Sequence, residues 1–254
     1  MKINCKMIVS DLDGTLLRTN KTISDETRAV LRRCREMGIK VVYATGRGYT
    51  ADLVAPALDF DGRILMNGAL AFVGDDVIYR RVIPFTIARS LLTACDRHGL
   101  QMVSEGNGMH YANFAVASVW QEILNYRVVD FASHTMDAEK LYAILRSPKD
   151  AAFINERLPD SLYMTTSRDH LAMIMHKEAT KSKAIAALAR YFDIAPPAIV
   201  AFGDDFNDVD MLLYAGVGVA MGNALDEAKA AADAVCQDND EDGVAKWIVE
   251  HVLI

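Results

Sequence analysis

Two carboxylates one residue apart, Asp11 and Asp13, directly follow the apolar run Met7-Ile8-Val9 in the stretch Ser10-Asp11-Leu12-Asp13-Gly14-Thr15-Leu16-Leu17. A single acid before a glycine is an ordinary strand-ending turn. Two at this spacing repel: at an effective dielectric of 20, like charges roughly 4 Å apart cost about 4 kcal/mol. A bound cation turns that cost into a gain. Further polar groups come from Ala44-Thr45-Gly46-Arg47, from Thr180-Lys181-Ser182-Lys183 and from Gly203-Asp204-Asp205-Phe206-Asn207-Asp208. Hard oxygen donors without His or Cys beside them suit magnesium, which keeps waters and binds through a few carboxylates together with a substrate phosphate.

Such a set serves phosphoryl transfer, where catalysis consists largely of positioning the phosphoryl group and stabilising charge on its oxygens. Asp11 can act as the nucleophile and form an aspartyl-phosphate, splitting one hard step into two. Asp13 can protonate the leaving oxygen and then take a proton from water. Thr45 offers a hydroxyl, the backbone at Gly46 can approach an anion closely, and Lys181 or Lys183 adds positive charge. Arg47 and Asn67, on loops at the same edge, are candidate substrate contacts. Plainer roles compete with these: a turn at Thr45-Gly46, a solvated helix position for Lys181, and helix capping for Asp204, Asp205 and Asp208, with Asp205 read as a cap alone. His98 is read as a helix end, and His110, His134, His170, His176 and His251 show no ligand spacing.

The elements that must position these groups follow from periodicity. Ser24 can cap a helix with the apolar face Val30, Leu31, Cys34 and Met37, closed by Gly38. The run Ile39–Ala44 then reads as a strand ending at Thr45, and Ala198–Phe202 as a strand ending at Gly203-Asp204, before a helix through Val209, Leu212 and Leu213. Buried strands alternating with helices predict a parallel sheet with helices on both faces and ligands beyond the carboxyl ends of the strands. The middle differs. One helix (Ile87, Leu91, Leu92, Cys95), a hairpin at Glu105-Gly106-Asn107-Gly108 and strands at Tyr163–Thr166 and Leu171–Met175 predict an α+β insertion over residues 84–179. The expected fold is therefore a Rossmann-like, doubly wound α/β core, residues 1–83 and 180–254, interrupted by a second domain.

Composition narrows the function. The 254 residues are 52% hydrophobic and 24% charged, an ordinary globular balance. A net charge of -7 argues against a nucleic-acid partner bound through phosphate neutralisation. No apolar run approaches the roughly 20 residues that span a bilayer, so no membrane partner is expected. Four scattered cysteines without C-x-x-C spacing and no signal peptide before the first strand point to a reduced, cytoplasmic protein. Nothing in the sequence identifies an oligomeric state.

Taken in order, Asp11-Leu12-Asp13-Gly14-Thr15-Leu16, Ala44-Thr45-Gly46-Arg47, Asn67-Gly68-Ala69, Lys181, Gly203-Asp204-Asp205-Phe206-Asn207-Asp208 and Asn239-Asp240-Glu241-Asp242-Gly243-Val244-Ala245 resemble the haloacid dehalogenase superfamily of phosphatases, in its Cof-type (class IIB) branch. The resemblance spans essentially the whole chain. It implies that Asp11 is nucleophile and magnesium ligand, and that Asp13 binds magnesium through its carbonyl while its side chain moves protons. It also implies that Thr45 holds the phosphoryl group, Lys181 neutralises it, Asp204 is the third metal ligand, Asp208 supports the metal's waters and Asn207 contacts phosphate. The family's usual glycine after this lysine is replaced by Ser182. The insertion becomes a cap that closes over the site and contacts substrate, with Glu105, His110, Tyr111 and Arg168 as its polar candidates. The expected reaction is hydrolysis of a small phosphorylated metabolite, a sugar phosphate or similar monoester. Alternatives sharing the nucleophile are a phosphomutase, a phospho-aspartate switch protein, which has no use for Asp13, and a dehalogenase, which needs neither Asp13 nor magnesium.

Overall fold

The structure, a computed structural model, describes residues 3–121, 123–166 and 170–253. The chain forms two compact units, Met1–Arg80 with Thr180–Ile254, and Arg81–Ala179. The first unit opens with β1 (Met7–Ser10), α1 (Asp25–Glu36), β2 (Lys40–Ala44), β3 (Gly62–Leu65), β4 (Leu70–Val73) and β5 (Asp76–Arg80). The second contains α2 (Phe85–Arg97), β6 (Gln101–Gly106), β7 (Met109–Ala112), β8 (Tyr126–Val128), β9 (Lys140–Ile144), α3 (Pro148–Asn155), β10 (Leu162–Thr166) and β11 (Leu171–His176). The chain returns to the first through α4 (Lys181–Tyr191), β12 (Ile199–Gly203), α5 (Val209–Tyr214), β13 (Val217–Ala220), α6 (Asp226–Ala231), β14 (Ala234–Val235) and α7 (Gly243–His251).

In the first unit the strands form one sheet in the order β14-β13-β12-β1-β2-β3-β4-β5. The strands from β14 to β3 run parallel, and β4 and β5 add an antiparallel edge. β1 and β12 are buried at every residue, as expected for strands covered on both faces. Alternate residues show the two coverings: Phe202 packs edge-on against Trp247 of α7, whereas a Cβ on Gly203 would meet the side chain of Asp208, which leads into α5. From β1 the chain winds outward through β2 and β3, and from β12 it winds the other way through β13 and β14. The β1/β12 boundary is therefore the topological switch point, where such sheets bind ligands.

The helix after β1 starts as expected, with Ser24 Oγ accepting the Thr27 amide at 3.0 Å. Its buried face is Thr27, Leu31 and Cys34; Met37, expected on that face, is 51% exposed. Met37 is the residue after the last helical position, where the chain leaves the helix, while at the other end the buried Thr27 hydroxyl donates to Asp242 Oδ1 at 3.2 Å. In α5, Met211 and Leu212 are buried and Leu213 is 67% exposed, because a helix of 6 residues presents only a narrow inward face.

The second unit has a sheet in the order β10-β11-β9-β6-β7-β8, antiparallel except between β7 and β8. Ala88, Leu91, Leu92 and Cys95 of α2 and Ile154 of α3 share a core with Met102, Leu141, Ala143, Ala172 and Ile174 of the sheet. The alternate sheet residues Val103, Ala112 and Tyr142 pack with Val116, Phe114 and Trp120. Asn107 and Gly108, both at positive φ, make the two-residue hairpin between β6 and β7. The unit begins at Arg81, ahead of the expected residue 84, because Ile83 exchanges backbone hydrogen bonds with Ala138. Glu105 pairs with Lys140 at 3.1 Å, His110 Nδ1 lies 2.9 Å from the Tyr142 hydroxyl, and the Tyr111 ring packs on His134. Arg168 lies outside the described residues. His98 caps the end of α2 and stacks on Phe153. Cys5, Cys34 and Cys95 are buried, Cys236 is half-buried, and all four are thiols. Among the described residues no helix is long and apolar enough to cross a membrane.

Candidate active site

The ladder between β1 and β12 continues one residue past β1: the Asp11 amide donates to the Phe202 carbonyl at 2.9 Å. On the other side the Thr45 amide reaches Ile64 O at 2.9 Å, and the Asn67 and Met66 amides return to the carbonyls of Thr45 and Arg47 at 2.9 and 2.8 Å. Backbone bonds thus tie the segments after β1, β2, β3 and β12 into one edge. Asn67 turns there at φ +52. Gly68 follows at φ +98, and a Cβ on it would overlap the Thr180 carbonyl. Only glycine lets this loop lie against the start of α4, where Lys181 sits.

Lys181 is fully buried, with Nζ 2.5 Å from Asp11 Oδ1 and 2.5 Å from Asp208 Oδ1. Lys183, the other candidate, is exposed, and its amide donates to Thr180 Oγ1. Asp208 Oδ2 accepts the amides of Asp204 and Asp205 at 2.9 and 3.1 Å, while Asp205 only caps, accepting the Phe206 amide at 2.7 Å. Asp204 Oδ1 accepts the Thr15 hydroxyl at 2.7 Å. Asp11 Oδ2 accepts no hydrogen bond from the described residues.

Ligand oxygens of Asp11, Asp204 and Asp208 lie within 4.8 Å of one another. One ammonium therefore faces three carboxylates. Burial pushes the Asp11 carboxyl well above its ordinary range; Asp208 and Asp204 add to that, and Lys181 opposes it. Burial disfavours the Lys181 ammonium too, but Asp11 and Asp208 hold it charged, above the ordinary lysine range. Burial likewise raises Asp204, to about 6, with the charge of Asp208 adding and the Thr15 hydroxyl opposing. A cluster short of positive charge and made only of oxygen donors fits a hard divalent cation.

Asp13 is held differently. Arg47 Nε and Nη2 donate to its Oδ2 and Oδ1 at 2.5 and 2.6 Å, and Lys21 Nζ approaches Oδ1 at 2.8 Å. Burial alone would raise this carboxyl, but the hydrogen bonds and charges of Arg47 and Lys21 outweigh it and hold it below the ordinary range. Arg47, read from sequence as a substrate contact, here grips Asp13. Beside Arg47, Thr45 Oγ1 accepts the Arg47 amide at 3.1 Å, and Asn207 Nδ2 donates to Asn67 Oδ1 at 2.9 Å.

Sequence reasoning missed Thr15, Lys21 and Asn223. Asn223 Nδ2 donates to the Gly14 carbonyl at 2.8 Å and its Oδ1 accepts the Asn239 amide at 3.1 Å. Asp242, within a stretch quoted above, receives the Arg18 guanidinium and the Thr27 hydroxyl. Asn223 and Gly14, Asp242 and Arg18, and Thr15 and Asp204 lie 209, 224 and 189 positions apart in the chain. No local spacing signals such a pair.

Comparison with known proteins agrees with this geometry. Residues 8–248 match the profile of the haloacid dehalogenase-like hydrolases. A 5-amino-6-(5-phospho-D-ribitylamino)uracil phosphatase of Bacillus subtilis, YcsE, is 30% identical over 261 residues, covering 99% of this chain and 97% of the relative. The pyridoxal phosphate phosphatase YbhA of Escherichia coli is 28% identical, covering 98% and 99%. The solved structure of a subclass IIB sugar phosphatase superposes with a TM-score of 0.81 at 29% identity, covering 96% of this chain and 98% of that one. The matched span, the identities and the likeness of fold along nearly the whole length lead to one conclusion: the chain is an enzyme of the haloacid dehalogenase-like hydrolase family, in its Cof-type phosphatase branch.

Proposed function

We propose that the chain is a magnesium-dependent phosphatase that hydrolyses a small phosphorylated metabolite, a sugar phosphate or similar monoester, through an aspartyl-phosphate on Asp11. The observation that carries this reading is the state of Asp11: one oxygen is held by Lys181, the other accepts no hydrogen bond from the described residues, and Asp13 stands two residues on. The relatives support the substrate class. Their names give a phosphorylated ribityl compound, pyridoxal phosphate and sugar phosphates, all monoesters on small polar skeletons.

In the first step Asp11 Oδ2 attacks phosphorus, the bond to the leaving oxygen breaks and that oxygen takes a proton from Asp13. In the second, water attacks phosphorus, Asp13 takes its proton, and the bond to Asp11 breaks to release inorganic phosphate. The Arg47 and Lys21 contacts favour Asp13 as carboxylate, the form that the second step needs. Protons balance over the cycle, because the one that Asp13 takes from water in the second step is the one it gives to the leaving oxygen of the next substrate. Lys181, the Thr45 hydroxyl, the Gly46 backbone and Asn207 hold the phosphoryl oxygens, and Asn67 and Arg47 line the approach. Asp11, Asp204 and the Asp13 carbonyl would hold magnesium, with Asp208 fixing the Asp204 turn through that residue's amide. Bound there, the ion supplies positive charge to nucleophile and phosphate. A cytoplasmic setting belongs to the same reading, since all four cysteines are thiols.

The test is phosphate release from a panel of sugar phosphates, phosphorylated cofactors and nucleotides, in magnesium and in chelator. Release that requires magnesium is expected, and its ranking names the substrate. No release from any member contradicts the reading.

A further inference from the structure

The turn between β1 and α1 contains a residue in a conformation its side chain does not favour. Lys21 sits at φ +64, a region that residues other than glycine, asparagine and aspartate enter mainly where their surroundings impose it. Here the surroundings are explicit. The Lys21 amide donates to Arg18 O at 2.8 Å, the Arg18 amide to Thr22 O at 2.9 Å, and Asn20 Oδ1 accepts the Thr22 amide and hydroxyl at 3.1 and 2.7 Å. The turn is then fastened from outside by the segment Asn239–Asp242. Asn239 Nδ2 donates to Leu17 O at 2.9 Å, Asp240 accepts the Thr19 amide and hydroxyl at 2.8 and 2.7 Å, and Asp242 receives Arg18.

The result of this construction is one contact. The Lys21 side chain, 55% exposed, extends to place Nζ 2.8 Å from Asp13 Oδ1, the same oxygen that Arg47 Nη2 reaches from the loop after β2. An ion pair this exposed contributes little to stability, so stability does not account for a strained turn with so many fastenings. Orientation does. Arg47 holds both oxygens of Asp13, and Lys21 adds a second donor on Oδ1 that comes from a separate loop.

We infer that Lys21 is a positioning residue for the proton-transferring carboxylate of Asp13, and that Asn239–Asp242 braces the turn that presents it. Lys21 does not touch the reacting atoms. It sets where the Asp13 carboxyl points when a proton passes to the leaving oxygen. The inference rests on the phosphatase reading above.

Phenyl phosphate and 4-nitrophenyl phosphate test it. The two are similar in shape, but phenolate is the more basic leaving group and depends more on protonation. For a reaction through a covalent intermediate, kcat/KM reports only steps up to departure of the first product, so it isolates this proton transfer. The ratio of the two kcat/KM values is also insensitive to the fraction of protein folded. Lys21→Met is expected to lower kcat/KM for phenyl phosphate about tenfold more than for 4-nitrophenyl phosphate, within the range spanned by general acid catalysis. Lys21→Arg restores most of the loss. Asp240→Ala shifts the ratio the same way and adds little on top of Lys21→Met, because both act through one turn. Equal losses on the two substrates, or no rescue by arginine, overturn the inference while leaving a native phosphatase in place. A native chain that releases phosphate neither from these two substrates nor from any member of the metabolite panel overturns the phosphatase reading and the inference with it.

Discussion

Asp11 shares a buried space with Lys181, Asp204 and Asp208, and the balance of one ammonium against three carboxylates dictates how the site responds to protons and cations. Without a cation, Asp204 binds a proton more readily in the folded chain than its ordinary value allows, its pKa rising from 3.8 to about 6. A raised carboxyl favours the folded state below its unfolded value and loses that contribution as pH rises through the folded one. A divalent cation displaces the proton, so the stability gained from magnesium should be small near pH 5 and larger near pH 7.5, read as the shift in thermal midpoint between chelated and magnesium-saturated protein. A shift independent of pH across that window contradicts the assignment of Asp204 as ligand. At this scale much was legible: Asp11, Asp13, Thr45 and Asp204 each end a strand, where side-chain type and an apolar run suffice to find them. Thr15 and Asn223 were not, because their partners Asp204 and Gly14 lie in distant segments, and Lys21 was not, because its reach to Asp13 depends on a turn at positive φ that spacing does not announce.

The elements act by bringing their ends together. β1, β2, β3 and β12 deliver polar residues because they are adjacent and parallel, and the apolar runs Met7–Ser10 and Ile199–Gly203 announce this in their composition. β5 was invisible for the opposite reason, since it buries no residue fully, whereas β4, Leu70–Val73, is apolar and mostly buried and was missed despite that run. Lys181 reaches the site only because α4 begins against Gly68. Gly68→Ala should therefore do more than strain a turn at φ +98, since the added Cβ meets the Thr180 carbonyl one residue before the buried lysine. A loss of ~1–3 kcal/mol in denaturant unfolding is expected, together with a fall in kcat larger than any change in KM. An alanine variant with native kcat shows that the start of α4 can move without displacing Lys181.

For the molecule as a whole, the two-unit division was readable from the change in pattern between winding strands and hairpins, and the edge missed by a few residues at Arg81 was one where a single backbone bridge, Ile83 to Ala138, sets the limit. Charge and composition excluded nucleic-acid and membrane partners as expectations, but they named no substrate. The proposed reaction turns on phosphorus passing through Asp11. The direct measurement is acid quenching of the magnesium-loaded protein during turnover of 4-nitrophenyl phosphate, followed by mass analysis of its peptides. The account predicts one added phosphoryl group on the peptide that contains Asp11, absent in Asp11→Asn and in chelator. Turnover with that peptide unmodified, and with Asp11→Asn as active as the native chain, would contradict it.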